Sequence, residues 1–75
     1  MLNRKLLRQA RTRAGLTVNE VARAAGVNFA RAYNLEAGFS RLTPEAESTL
    51  RRALARLLAE RRAACDEMLQ KLDAA

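Results

Sequence analysis

Apolar residues recur every three or four positions along most of the chain, and glycines divide this pattern into short segments. Such spacing is typical of helices that pack one face inward, and no segment has the alternation that is typical of strands. The first segment predicts a helix over about 3–13 that Gly15 ends. Its inward face is expected to consist of Leu6, Leu7 and Ala10.

Two further short helices are expected, and each begins at a residue suited to capping. Thr17 has Glu20 three positions later, the spacing of a capping box, so a second helix begins there and Gly26 ends it. Asn28 is suited to cap a third helix, which ends before Gly38. The residues expected to face inward on this pair of helices are Val21, Ala22, Ala25, Val27, Ala32 and Leu35.

A long fourth helix is expected from Pro44 to about Leu72. Thr43 supplies a cap, proline suits the first helical position, and no glycine or second proline interrupts the segment. At 1.5 Å per residue this helix is about 43 Å long, which exceeds the domain from which it begins. Its apolar stripe is therefore expected to pack on a second copy, through Leu54, Leu57, Leu58, Cys65, Met68, Leu69 and Leu72. The alternative is a break that folds the helix back onto its own domain.

Polar residues of the fourth helix fit an exposed helix beside a partner. Three pairs of opposite charge lie four residues apart, a spacing that stabilises a helix: Glu47 with Arg51, Arg62 with Asp66, and Glu67 with Lys71. Arg61 interrupts the apolar stripe, so it either points outward or marks where the stripe drifts around the helix. Cys65 is interpreted as a small buried apolar residue, with a redox switch as the alternative.

Charge divides the chain into two parts. The whole sequence carries a net charge of +6, and all of this excess lies in residues 1–43, since residues 44–75 carry equal numbers of basic and acidic residues. A concentrated positive field attracts polyanions, although a solvated basic surface without a partner is the alternative. The two expected parts are a DNA-binding unit over 1–43 and a helix over 44–75 that completes the core and mediates dimerisation.

The composition argues against several classes of protein. The chain has no histidine, and its single cysteine builds neither a zinc site nor an intrachain disulfide, so no metal or other cofactor is expected. No nucleophile-and-base set and no phosphate-binding glycine loop is recognisable, so the chain is not expected to be an enzyme. No apolar run approaches the ~20 residues that span a bilayer, and no signal peptide is recognisable. We therefore expect a cytoplasmic protein with no membrane contact and no small-molecule ligand.

The region from Thr17 to Gly38 meets the requirements of a helix-turn-helix, in which two short helices cross closely at a turn. Ala22 provides the small residue where the helices cross, and Gly26 lies four positions later, where the backbone turns left-handed. The expected fold is therefore all-α, with three short helices that form a small helix-turn-helix domain and one long C-terminal helix.

The chain from Leu6 to Leu54 also resembles the lambda-repressor/Cro-like (Xre) helix-turn-helix domain of bacterial and phage regulators. The resemblance is carried by Arg13-Ala14-Gly15-Leu16-Thr17, Glu20-Val21-Ala22-Arg23-Ala24-Ala25-Gly26-Val27, Leu35-Glu36-Ala37-Gly38 and Leu50-Arg51-Arg52-Ala53-Leu54. It implies a third helix in the DNA major groove and an internal pair between Arg11 and Glu36. The sequence differs from the family in three ways. Val18 stands where many relatives have glutamine, and the long fourth helix takes the place of the family's fifth helix. The third helix has Phe29, Ala30 and Tyr33 where relatives more often have Gln, Arg, Ser or Thr.

The resemblance also implies a set of contacts to DNA. The residues expected to contact bases are Asn28, Phe29, Ala30, Tyr33 and Asn34, among which Asn34 is suited to an adenine edge. Phe29 and Ala30 are suited to thymine methyl groups. Those expected at phosphates are Thr17, Asn19, Arg31, Phe39, Ser40 and Arg41. The alternatives are that Phe29 and Tyr33 only pack together and that Asn28 is only a cap.

The sequence thus predicts a homodimeric, sequence-specific regulator of transcription, expected to be a repressor. Its partner is double-stranded DNA with an inverted repeat, whose half-sites lie about one helical turn apart. The alternative is a protein-interaction module or antitoxin-like adaptor that uses the helical scaffold to bind another protein. Phosphate binding weakens steeply with added salt and an apolar protein interface does not, so salt dependence distinguishes the two hypotheses.

Overall fold

The chain folds into four helices in the computed structural model, which describes residues 3–74. Helix α1 spans Arg4–Arg13, α2 Val18–Ala25, α3 Phe29–Ala37 and α4 Pro44–Ala74, and no strand occurs within the described residues. The predicted all-α class, with three short helices followed by a long one, is confirmed. None of these helices is both long and apolar enough to cross a membrane, as far as residues 3–74 are concerned.

Local capping signals set the helix boundaries. Thr17 Oγ1 accepts a hydrogen bond from the Glu20 amide at 3.1 Å, and Glu20 Oε1 accepts one from the Thr17 amide at 3.1 Å, which is the predicted capping box. Asn28 Oδ1 caps α3 by accepting from the Arg31 amide at 2.8 Å. Gly26 ends α2 with φ +72°, a left-handed conformation that glycine adopts without steric penalty. The short turn between α2 and α3 is therefore encoded in the local sequence.

The core is small and aliphatic, and it lies where the first half of α4 packs across α1 and α2. Its buried members come from every helix and from both longer connections: Leu7, Leu16, Val21, Leu35, Leu42, Ala46, Leu50 and Leu54. Ala22 is 1% exposed, in agreement with the need for a small residue on α2. A core made only of such residues leaves all three aromatic side chains of the chain outside it.

Two of the residues assigned by pattern have different positions in the fold. Leu6 was expected to face inward, but this is wrong, because Leu7 takes the buried position and Leu6 is 51% exposed at the edge of α1. Leu54 was expected at a dimer interface, which is also wrong, because it is 4% exposed within the core of its own protomer. Leu6 and Leu54 line opposite sides of an open groove of about 270 Å³ between α1 and α4, together with Leu58.

A half-buried ion pair joins α1 to α3. Arg11 Nη2 lies 2.6 Å from Glu36 Oε1 and Arg11 Nε lies 2.8 Å from Glu36 Oε2, with both side chains about 15% exposed. The remaining guanidinium nitrogen of Arg11, Nη1, donates to the carbonyl of Leu16 at 2.9 Å. The hydrogen bonds that Arg11 donates to Glu36 raise the pKa of Arg11, against the lowering effect of burial. The predicted internal pair is confirmed, and it also holds the connection between α1 and α2.

Helix α4 continues without a break from Pro44 to Ala74, so the alternative of a helix that folds back is wrong. At about 1.5 Å per residue its 31 residues account for most of the 49 Å length of the molecule. Every residue from Ala59 to Ala74 is exposed. We call this projecting segment, residues 59–74, the arm.

The base of the arm is fixed to the domain by Arg61. Its guanidinium donates to the carbonyl of Ala14 at 3.1 Å, where α1 ends, and to Glu20 Oε2 at 3.2 Å. Glu20 accepts from its own capping box as well, and these hydrogen bonds together with the charge of Arg61 lower the pKa of Glu20. Arg61 therefore neither points away nor marks a drifting stripe, since it turns back to α1 and α2.

Removal of Arg11 is expected to destabilise the fold more than removal of an exposed arginine. Arg11→Ala leaves Glu36 half-buried without its partner and should lower the free energy of unfolding by about 3 kcal/mol. Arg56 provides the matched control, because its pair with Glu60 spans 3.9 Å and both side chains are more than 60% exposed. Arg56→Ala should lower it by about 0.5 kcal/mol or less. Urea unfolding at one fixed chain concentration measures both, and equal effects would contradict the structural role given to Arg11.

Candidate nucleic-acid interface

Three aromatic side chains form a continuous exposed cluster on the outer side of α3 and the loop that follows it. The rings of Phe29 and Tyr33 lie nearly parallel with centroids 6.0 Å apart, and Phe39 adds a third ring 6.3 Å from Tyr33. Their exposures are 51%, 45% and 76%. We call this cluster of Phe29, Tyr33 and Phe39 the aromatic ridge. Phe29 and Tyr33 do pack on each other, as one interpretation of the sequence held, but they do so at the surface.

Apart from the aromatic ridge, the outer face of α3 carries few polar side chains. Ala30 is exposed and apolar. The Oδ1 atom of Asn28 is occupied by the cap, so only its amino group is available to a ligand. The side chain of Asn34 is half-buried, and it has no hydrogen-bond partner among residues 3–74. Asn34 and Tyr33 therefore carry most of the hydrogen-bonding capacity of this face.

The five residues expected to contact bases occupy one helix and its cap, since Asn28 precedes α3 and the others lie in its first two turns. The opposite side of α3 carries Ala32 and Leu35, which are buried in the core. Helical geometry thus separates the expected contact residues from the inward residues, as the sequence pattern predicts.

The region 1–43 carries the excess positive charge, and both of its acidic side chains are held in ion pairs. Glu20 and Glu36 are the only acidic residues of 1–43, and they pair with Arg61 and Arg11. Seven basic side chains of the same region make no ion pair within residues 3–74: Arg4, Lys5, Arg8, Arg13, Arg23, Arg31 and Arg41. A field of this kind favours an anionic partner.

One of these arginines borders the ridge directly. Arg8, Val18 and Tyr33 line a shallow hollow of about 120 Å³, which also contacts the Arg11–Glu36 pair. This hollow joins the beginning of α2 to the outer side of α3. Val18, which stands where the resembling family often has glutamine, supplies an apolar wall instead of a hydrogen-bonding group.

Several groups expected at phosphates already have hydrogen-bond partners. The Thr17 hydroxyl lies 3.2 Å from Glu20 Oε1 and caps α2, so it is committed to the capping box. The backbone amides of Phe39 and Ser40 both donate to the carbonyl of Asn34, at 2.9 and 3.1 Å. Contact with phosphate at this loop would have to come from the Ser40 hydroxyl and from side chains. Asn19, Arg31 and Arg41 remain exposed, as the expectation requires.

Sequence reasoning missed the role of Arg4. Its Nε donates to the carbonyl of Leu35 at 2.7 Å and its Nη2 to that of Ser40 at 3.1 Å, so this arginine holds the end of α3 and the next loop together. It also missed that Phe39 joins the ring cluster. Both contacts join residues that lie more than five positions apart in the sequence, so no local sequence pattern predicts them.

The arm presents the other exposed apolar surface. Met68, Leu69 and Leu72 are 53%, 59% and 67% exposed, and Cys65, interpreted from the sequence as a small buried residue, is exposed as well in the single chain. Leu58 is 37% exposed, while Leu57 packs partly against the core. Between the arm and the domain lies an open groove of about 510 Å³, lined by Leu16 and Leu57 at its base and by Cys65 and Met68 along its side.

Comparison with known proteins finds no match to this chain, whether among protein-family models, curated proteins or solved structures.

Proposed function

We propose that this chain is a sequence-specific regulator of transcription that binds double-stranded DNA as a homodimer. In this proposal α3 enters the major groove, the start of α2 faces the backbone, and the arms of two copies pair. Occupation of a promoter is the simplest mode of action for such a chain, which makes repression the expected outcome. The resemblance to the lambda-repressor/Cro-like family points the same way.

The observation that carries the proposal is the pairing of both acidic residues in the region 1–43. Because Arg11 and Arg61 neutralise Glu36 and Glu20, the remaining basic side chains of the region 1–43 are left to interact with solvent or a polyanion. A helix-turn-helix whose second helix has an exposed outer side, set in a positive field, has the properties that binding to the DNA major groove requires.

The dimer is proposed because the arm has a continuous exposed stripe. Isolated helices shorter than about 12–15 residues are only marginally stable in water. Beyond Arg61 the arm makes no hydrogen bond or ion pair to the domain among residues 3–74, so packing against a partner would stabilise it. Leu58, Cys65, Met68 and Leu72 follow spacings of seven, three and four residues, which fit the seam of a coiled coil, and Leu69 lies beside this seam. A second copy supplies an identical stripe, and two-fold pairing matches an inverted-repeat operator.

A protein-interaction module is the second candidate function, and the aromatic ridge is the observation that favours it. Exposed aromatic side chains are enriched in the centres of protein interfaces. Under this alternative the ridge binds another protein and the arm assembles with a different chain, as in an antitoxin-like adaptor.

Salt dependence distinguishes the two functions. The affinity for duplex DNA should fall linearly on a log–log plot against salt, with a slope of about −0.9 for each phosphate neutralised. Arg31→Ala and Arg41→Ala should each reduce the steepness of this slope by about one. Fluorescence anisotropy with a labelled duplex over a range of potassium chloride concentrations measures the slope.

Arg62→Ala is the matched control for this experiment. Arg62 is an exposed arginine on the arm, with no ion pair inside the described residues, so its removal changes net charge equally. Its slope should equal that of the unaltered protein. Binding that is insensitive to salt, or slopes that all three variants reduce alike, would count against DNA recognition by this surface.

Substitution in the arm tests the dimer separately. Leu69→Glu places a charge in the proposed interface and should convert the dimer to monomer at micromolar concentration, because an unpaired charge is costly to bury. Gln70→Glu introduces the same charge at the neighbouring exposed position and should leave the dimer intact. Analytical ultracentrifugation measures both masses, and dimers that survive Leu69→Glu would remove this stripe from the interface.

A further inference from the structure

All three aromatic residues of the chain lie at the surface and in one cluster. The sequence contains two phenylalanines, one tyrosine and no tryptophan, and the core is built without any of them. Aromatic side chains are large and usually stabilise the interior, so their complete exclusion from the core needs another explanation. Because the three rings are contiguous, the ridge is a patch and not a scatter of single exposed residues.

The geometry of the ridge joins the three rings into one apolar surface. Phe29 and Tyr33 lie only 16° from parallel with centroids 6.0 Å apart, within the range of an offset stack. Phe39 tilts by 32° against Tyr33 with centroids 6.3 Å apart and extends the surface beyond α3. Each of the three side chains is at least 45% exposed, so the ridge offers contiguous apolar area to a ligand.

Hydrogen bonding is too sparse on this face to define a long DNA sequence. Asn28 uses its oxygen for the cap, Ala30 has no polar side chain, and Phe29 and Phe39 have none either. Tyr33, Asn34 and the amino group of Asn28 are left as the groups that can read donors and acceptors. Most of the contact that this surface offers to a groove is thus apolar.

The major groove displays one apolar group among the four ordinary bases, the C5-methyl group of thymine. An apolar ridge bordered by the unpaired Arg8, in a region of net positive charge, is complementary to a groove that presents methyl groups between two rows of phosphates. Resting on the proposed function, we infer that the aromatic ridge reads 5-methyl groups, so that thymines at the ridge determine which duplexes the protein prefers.

Deoxyuridine provides the test, because it differs from thymidine only in lacking this methyl group and keeps the same hydrogen-bonding edge. Duplexes that the protein selects from a random thymidine-containing pool would be remade with deoxyuridine, and both forms titrated with the full chain. Each methyl group that packs against the ridge should contribute about fourfold to affinity. The deoxyuridine form should bind about sixteenfold more weakly if two methyl groups are contacted.

Phe29→Ala identifies the ridge as the reader. This variant should bind the thymidine duplex more weakly and should reduce the ratio of thymidine to deoxyuridine affinity toward one. Leu6→Ala is the matched control, because Leu6 is also 51% exposed but lies in the groove between α1 and α4. It should leave the ratio unchanged even if it alters overall affinity. Thermal unfolding by circular dichroism verifies that both variants fold.

The outcomes separate this inference from the proposed function. Selective duplex binding with equal affinity for the two forms would overturn methyl reading and leave the proposed function standing. A thymidine preference that Phe29→Ala leaves unchanged would also overturn the role of the ridge. If no duplex is enriched from the pool, the proposed function fails and the inference fails with it.

Discussion

The arrangement of the three short helices, α1, α2 and α3, depends on the guanidinium of Arg11. One half-buried group binds Glu36 on α3 and the carbonyl of Leu16 in the connection before α2, so α1, α2 and α3 are fixed to one another by directional bonds. A chain of this length buries only about 60% of its unfolded surface, and its aliphatic core has little area to spare. The aliphatic core packs well but does little to fix the orientation of the helices relative to one another. The directional hydrogen bonds of Arg11 supply that orientation.

Ion pairing in the domain also shapes its outer electrostatic field. Each acidic residue of the region 1–43 is engaged by an arginine with a structural role, in one case from α1 and in the other from the base of the arm. The charge that remains belongs to arginines and a lysine at the surface. Arg61 in addition links α4 to the end of α1 and the start of α2.

Local sequence was sufficient to predict the elements, whereas contacts between distant residues were not. The capping box of Thr17 and the left-handed Gly26 depend on neighbours within a few positions, and the structure has both as predicted. Leu6 shares its apolar character and helix with Leu7, and only packing against α4 decides which of them is buried. The spacing of residues along α4 does not predict that the side chain of Arg61 contacts α1 and α2.

The candidate site shows the same difference between local features, which the sequence predicts, and contacts between distant residues, which it does not. Placement of Phe29, Tyr33 and Asn34 away from the core followed from helical periodicity, since Ala32 and Leu35 take the inward positions. The addition of Phe39 to the ridge depends on the loop that follows α3, which Arg4 holds from 31 and 36 residues away. Similarly, the amides of Phe39 and Ser40 turn toward Asn34 because the left-handed Gly38 redirects the chain.

Selection from a random duplex pool by the purified chain at physiological salt, followed by sequencing of the retained DNA, tests the central claim most directly. The account predicts an enriched inverted repeat whose half-sites contain thymine and lie about one helical turn apart. Retention of random DNA without any enriched sequence would contradict it, and would direct attention to a protein partner for the aromatic ridge.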